Sequence, residues 1–407
     1  MGSTWPPASL GEGSILINRP SEVVPAPAFD RAPAANSENY VTHMNQISLY
    51  PLRFEPIYQY RLWGGRRLAD LFSAPLPGDG PIGEAWVLSD RDDHPSQVAN
   101  GWLKGRALSE VMEQFREPLM GNLAPRFRRF PLLLKFLDAH EMLSVQVHPS
   151  DAQTDLIPAG ESGKTEAWVV IEASSGSCIY AGLKPGTTAN DVRQSIVTGT
   201  IVDHLVNILP EQGDAVFIPA GTVHALGGGT VVFEVQQNSD VTFRLYDWGR
   251  VDAKTGKPRE LQIDQALASI DFAQSTEGLV LPFVETTAPV LRERLFDCDQ
   301  FLLWRLRGQS PFTVGAENAP SVLVCIEGQG ELEYSGAPYA VRKGEVWLLP
   351  AVAGTCAFRP DGVMTLLEIA PPNHSERINN LTARRLIDFI ANSSVLKRME
   401  NEKSDRL

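Results

Sequence analysis

One run constrains this chain more than any other: Gly213-Asp214-Ala215-Val216-Phe217-Ile218-Pro219-Ala220-Gly221-Thr222-Val223-His224. It predicts a strand over Ala215 to Ile218, entered through a Gly-Asp turn and left through a Pro-Ala-Gly turn. Glycine suits positions 213 and 221 because tight turns often need positive φ, and Pro219 ends strand pairing. The second turn delivers His224 at the start of the next segment. A chain with this punctuation folds as short strands and tight turns.

Two stretches upstream offer partners for that histidine. Val145-Gln146-Val147-His148-Pro149 alternates as a strand does, so Gln146 and His148 share a face. Gly163-Lys164-Thr165-Glu166-Ala167-Trp168-Val169-Val170-Ile171 starts another strand, with Lys164 and Glu166 on one face. Taken singly, each has a plain structural reading: a buried histidine is commonly a satisfied core residue, and a strand glutamate a rim ion pair. Taken together, Gln146, His148, Glu166 and His224 supply two imidazoles, a carboxylate and an amide oxygen. That set suits zinc with positions left for water or substrate, and mixed N/O sites also accept manganese, iron or cobalt. Its single negative charge leaves a divalent ion net positive, as Lewis-acid work requires. The spacing from Gly213 through Pro219 and Gly221 to His224 resembles the second conserved motif of the cupin superfamily, and Gln146 to His148 its first. The resemblance implies a mainly β chain of two cupin-type jelly-roll barrels with a few short helices.

The 407 residues suffice for two domains plus tails, and at 43% hydrophobic they can fill real cores. The net charge of −13 argues against nucleic acid or an anionic membrane as partner. An anionic substrate must therefore meet a local basic cluster. Cys178, Cys298, Cys325 and Cys356 are scattered without CxxC spacing, which disfavours a disulfide framework and fits a reducing cytoplasm.

Along the chain, residues 1–43 are rich in Pro, Ala, Ser and Gly without helical period, and are expected to be a disordered extension preceding a start near Met44. Residues 44–275 are expected to form the catalytic, metal-binding domain. Within it the pattern predicts a short helix after Trp63-Gly64-Gly65, beside which Arg61, Arg66 and Arg67 are candidate positive charges. A strand is expected over Ile82–Ser89 and an amphipathic helix over Ala107–Arg116. Lys135 interrupts an apolar strand, Leu132 to Leu137, and is placed toward a cavity. His94, His140 and His204 read as surface residues. Thr188 with Asp191 starts a helix through a capping box. Gly227-Gly228-Gly229 lacks the Gly-Lys-Ser/Thr of a phosphate loop and is expected to be a hairpin turn. Glu234 and Arg244, each on a strand, are expected to face inward.

A second copy of the pattern follows. Gly344-Glu345-Val346-Trp347-Leu348-Leu349-Pro350 matches Gly213 to Pro219 in type and spacing, yet Thr355 stands where His224 would. Residues 276–372 are therefore expected to be a second barrel without metal. Residues 373–407 are expected to be a C-terminal helical tail.

Several runs then narrow the resemblance to one family. Phe130-Pro131-Leu132-Leu133-Leu134-Lys135-Phe136-Leu137, Leu143 through Pro149, Gly163 through Trp168, Pro219 through Leu226 and Phe233 through Asp247 are similar to type I mannose-6-phosphate isomerase in its short bacterial form. The likeness covers roughly residues 46–372. It implies interconversion of mannose 6-phosphate and fructose 6-phosphate through an enediolate, with one Zn2+ per chain on Gln146, His148, Glu166 and His224. It also implies Glu234 as the base, with Lys164 as its rival, and Arg244 as the active-site arginine. Lys135 and Lys164 become candidates for phosphate or ring-hydroxyl contacts. The partner implied is a small sugar phosphate, handled by a cytoplasmic monomer or homodimer. Other readings stay open: a non-catalytic sugar-binding metal cupin, a cupin glucose-6-phosphate isomerase, or a dioxygenase. The extra helical domain of longer family members is absent, which leaves substrate breadth open.

Overall fold

The computed structural model describes residues 48–372 except 73, 253–254 and 274–277; the N-terminal extension and the C-terminal helical pattern lie outside the described residues. The described chain is mainly β, with few helices. Six strands form one sheet, in the order Ile57–Gly65, Ile82–Leu88, Leu132–Ala139, Thr230–Gln237, Glu166–Ala173, Ala215–Ile218. Five form a second: Phe243–Tyr246, Val145–Val147, His224–Leu226, Ile179–Leu183, Leu205–Ile208. Toward the C-terminus a seven-stranded and a four-stranded sheet repeat the arrangement.

Side-chain alternation explains how these layers stack. Along Leu132–Ala139, Leu132, Leu134 and Phe136 join the core shared with Val322, Val324, Leu367 and Ile369 of the seven-stranded sheet. Leu137 and Ala139 point the other way, into a core that includes Ile179, Ala181 and Leu226 of the five-stranded sheet. Covered on both faces, every residue of this strand is buried, which is why it is apolar apart from Lys135 and Asp138. Lys135 shares the face of Leu137 and so enters the space between the six- and five-stranded sheets. The far face of the five-stranded sheet buries Val145, Val147, Ala225 and Leu245 beneath helices Ala189–Thr198 and Ile263–Ser269.

Most expected elements are where the pattern put them. Thr188 caps its helix reciprocally with Asp191, and the strand Ala215–Ile218 has the expected bounds. Three details differ. The amphipathic helix runs Leu108–Met120, past Arg116 and through Pro118. Phe115 at φ −129°, ψ 32° breaks it into two segments, so the proline falls in the first turn of the second, where its missing N–H is harmless. Gly227 to Gly229 is no hairpin: His224–Leu226 pairs with Val145–Val147 and Ile179–Leu183, whereas Thr230–Gln237 pairs with Leu132–Ala139 and Glu166–Ala173. The glycines carry the chain from one sheet to the other, and a Cβ at 227 would collide with the Cys178 carbonyl. Finally, Leu52–Arg53 pairs with Val346–Leu349, so the start of the described chain is stitched into the C-terminal sheet. No described helix is long and apolar enough to cross a membrane.

Candidate active site

The site lies between the six- and five-stranded sheets. His148 follows the short strand Val145–Val147, and His224 opens the strand paired with it, with His224 directly opposite Gln146. Glu166 opens its own strand on the facing sheet. Ligand atoms of His148, Glu166 and His224 all lie within 4.8 Å of one another, and all three residues are buried.

Hydrogen bonding fixes how the imidazoles present themselves. His148 Nδ1 is 2.8 Å from the Val241 carbonyl, and His224 Nδ1 is 2.9 Å from the Thr222 carbonyl. A carbonyl only accepts, so each Nδ1 carries the proton and each Nε2 turns a lone pair inward. Those Nε2 atoms face Glu166, at 3.2 Å from Oε1 for His224 and 3.5 Å from Oε2 for His148. Burial, then the Lys164 charge, lowers the His148 pKa to about 3, so its ring is neutral near pH 7. Imidazole lone pairs and a carboxylate thus converge on one point, an arrangement that calls for a cation.

Lys164 partly answers that need. Its Nζ lies 2.8 Å from Glu166 Oε2 and 3.3 Å from His148 Nε2. Even so, neither Glu166 oxygen has a hydrogen bond of acceptable direction; the Lys164 contact is charge proximity rather than an aligned bond. Burial works against ionisation of Glu166, but Lys164 and the imidazoles outweigh it and hold the carboxyl well below its usual range. Lys164 is correspondingly raised: burial would lower it, and Glu166 and Glu234 prevail. In the protein alone the charge nearest to Lys164 is the Glu166 anion. The orphaned carboxylate oxygens and inward lone pairs fit a divalent metal held by His148, Glu166 and His224. Gln146 reaches the same point with its amide nitrogen 3.2 Å from His224 Nε2, while its oxygen accepts from Ser144 Oγ at 3.3 Å. A half-turn of the amide would bring the oxygen inward as a fourth ligand.

A cavity of about 400 Å³ opens beside this cluster, lined by Gln146, Lys164, Lys135, Glu234 and Arg244 among others. Glu234 is buried, accepts from Trp168 Nε1 at 2.9 Å and lies 3.4 Å from Lys135 Nζ. Burial, reinforced by the Glu166 charge, raises its pKa against the pull of the two lysines. Arg244 donates to Ser144 Oγ and to the Glu260 carbonyl, both at 3.1 Å, and no described carboxylate lies within ion-pair distance of it. Burial and the neighbouring Arg259 lower its pKa against the pull of the more distant Asp247, leaving a partly desolvated guanidinium with no carboxylate at ion-pair distance among the described residues. The eight residues expected to hold metal, bind substrate or move the proton therefore meet in one place.

The structure adds residues that the sequence pattern passed over. Glu84 lines the cavity, gripped by Arg61 through two bonds of 2.8 and 3.0 Å and by Trp86 Nε1 at 2.7 Å. Burial opposes its ionisation, but Arg61 and Lys135 hold its pKa down to about 2. Asp240 also lines the cavity, 3.9 Å from Lys135. An isolated glutamate interrupting the apolar strand Ile82–Leu88 was the available signal for Glu84. Of the three arginines near Trp63, only Arg61 lines the cavity. Arg66 bonds the Gly80 and Leu76 carbonyls, and Arg67 is consumed by Asp138 and the carbonyls of Gly229, Ala139 and Thr230. A larger cavity of about 810 Å³, between Asp90–Asp93 and Arg126–Pro131, contains none of the cluster side chains.

Fold and site together define a largely β protein built around a metal-type histidine–carboxylate centre. The catalytic-domain profile of type I phosphomannose isomerase matches residues 52–166. A mannose-6-phosphate isomerase of Bacillus subtilis is 37% identical over 303 residues, covering 74% of this chain and 93% of the relative. One from Streptococcus mutans is 36% identical over 317 residues, covering 76% and 96%. The crystal structure of a mannose 6-phosphate isomerase from Bacillus subtilis superposes with a TM-score of 0.73 at 31% identity, covering 79% of this chain and 99% of that one. The chain belongs to the type I phosphomannose isomerase family. It is an isomerase of that family.

Proposed function

We propose that this enzyme interconverts mannose 6-phosphate and fructose 6-phosphate, moving a proton between C1 and C2 through an enediolate at the centre formed by Gln146, His148, Glu166 and His224. The observation that carries the reading is the convergence of two inward imidazole lone pairs on a buried carboxylate with unsatisfied oxygens, beside a cavity bearing an arginine with no described carboxylate at ion-pair distance. The metal fits as one Zn2+ per chain. When bound, it would supply Lewis-acid polarisation of the substrate's hydroxyl and carbonyl oxygens.

The chain's own residues supply the rest. Glu234 is the base: its raised pKa brings a carboxylate toward the range where it can take and return a proton near neutral pH. Lys164 is less suited, because its ammonium is stabilised by Glu166 and releases a proton reluctantly. Arg244 holds the anionic substrate or the enediolate charge, for which a partly desolvated guanidinium is suited. Lys135, beside Glu234, contacts a phosphate or hydroxyl oxygen. The paired sheets, six with five and seven with four strands, support two cupin-type barrels, catalytic over 44–275 and metal-free over 276–372. Four unbridged cysteines support a cytoplasmic setting.

The test is product identity by NMR. Mannose 6-phosphate should yield fructose 6-phosphate, with glucose 6-phosphate and free mannose as competitor substrates. Absence of turnover on mannose 6-phosphate, or faster conversion of a competitor, would reject the assignment.

A further inference from the structure

The site sheet carries an unbroken lateral row of four side chains. Trp86 is directly opposite Lys135, Lys135 opposite Glu234, and Glu234 opposite Trp168. Directly opposed residues share a face and touch across the ladder. The two charges at the centre of the row are therefore flanked by indoles, and each indole offers the feature that its neighbour needs. Lys135 Nζ sits 4.9 Å from the centroid of the Trp86 ring, a cation over a π face. Trp168 instead turns its N–H to the Glu234 carboxylate at 2.9 Å.

Trp86 is itself held in orientation. Its N–H donates to Glu84 Oε2 at 2.7 Å, Arg61 grips the same carboxylate, and the His94 ring packs against the indole at 5.2 Å. Trp86 is 1% exposed and is not part of the cavity wall, whereas Lys135 is. A buried lysine on a long flexible stem, attracted by Glu234 at 3.4 Å and Asp240 at 3.9 Å, would otherwise choose between carboxylates. The indole face favours one position of the ammonium, between the ring and the cavity.

We propose that Trp86, oriented by Glu84, is a positioning residue that fixes the Lys135 ammonium for substrate binding through a cation–π contact. The inference rests on Lys135 touching the sugar phosphate, as read above. It makes the electronic character of the Trp86 ring, and not only its bulk, a determinant of substrate affinity.

The experiment replaces Trp86 site-specifically with tryptophans of increasing ring fluorination, which drain the π face at nearly constant shape. KM for mannose 6-phosphate is expected to climb stepwise along the series, by about tenfold at the most fluorinated ring, with kcat within about twofold. Trp86→Leu should raise KM at least as much, and Trp86→Phe should recover most of it. Because Trp86→Leu removes core volume and is liable to misfold, the fluorinated series decides. Lys135→Met separates the two readings. A raised KM in Lys135→Met with a flat fluorinated series would overturn the role of Trp86 while leaving Lys135 at the substrate. Wild-type KM in Lys135→Met would overturn both.

Discussion

Two regions of this molecule use the same sheet pairing and the same Gly-to-Pro strand entry for opposite ends. Between the six- and five-stranded sheets lie His148, Lys164, Glu166, His224, Lys135 and Glu234, all buried. Between the seven- and four-stranded sheets lie Leu306, Leu323, Cys325, Leu332, Trp347 and Phe358. Thr355, the counterpart of His224, is exposed on its strand. The difference is instructive because the backbone punctuation is shared: Gly213 and Gly344 both adopt positive φ, at 91° and 86°, before a short strand ending in proline. A fold of this kind tolerates a charged interior only where each charge finds a partner or an ion. In the second region the same space fills with apolar side chains, apart from the buried Glu368 paired with Arg292. One core joins both regions, so a face of the seven-stranded sheet buttresses the sheet that carries Lys135, Glu166 and Glu234.

The comparison is broken most directly at the first centre. Glu166→Gln or His224→Ala should reduce turnover by more than about 10³-fold, with zinc content falling in parallel. Retention of both would deny that these residues hold the metal. Arg244→Ala should lower kcat/KM by about 10²-fold while leaving bound zinc unchanged, which separates substrate recognition from metal binding. Metal analysis and steady-state kinetics on the same sample decide it.

At the second centre the expectation is reversed. Phe358→Ala removes a fully buried ring stacked on Phe312 at 5.3 Å and should cost about 3–5 kcal/mol of stability, with kcat/KM of the folded fraction unchanged. A large loss of activity at constant folded fraction would show that the second region shares in the chemistry.

A smaller effect tests the cost of burying a charge at the end of the strand Ile82–Leu88. Asp90 is fully buried; its Oδ2 accepts from the Phe130 N–H at 2.7 Å, and its Oδ1 is unsatisfied. Burial pushes its pKa from 3.8 to about 6. A carboxyl raised in the fold binds more protons there than in the unfolded chain, so its contribution is most favourable below about pH 4 and is lost as pH rises through 6. Asp90→Asn should therefore gain up to about 3 kcal/mol above pH 6, less after relaxation, and nothing near pH 4. Denaturant titrations at the two pH values measure the difference.

Much of the site was legible because its residues carry local signals. Lys135 and Glu234 each interrupt an apolar strand, and Gln146, His148 and His224 sit beside turns whose glycine and proline fix their spacing. Glu84 carries the same signal as Lys135 and Glu234, but its place beside them depends on the Ile82–Leu88 strand lying next to Leu132–Ala139 in one register, which neither strand's sequence shows. Nor was the pairing of Leu52–Arg53 with Val346–Leu349 legible: it joins segments nearly 300 residues apart and leaves no periodic trace in either. The glycine triplet misled for a related reason: a glycine-rich turn reads the same whether the strands it joins pair with each other or with different sheets.

The central claim is that the polar centre between the six- and five-stranded sheets is a metal-dependent isomerase site. The most direct measurement is a coupled assay for fructose 6-phosphate formed from mannose 6-phosphate, with zinc counted on the same protein before chelation, after it, and after zinc is restored. The account predicts one zinc per chain, activity lost with the metal and regained with it. Full activity in protein stripped of metal would contradict it.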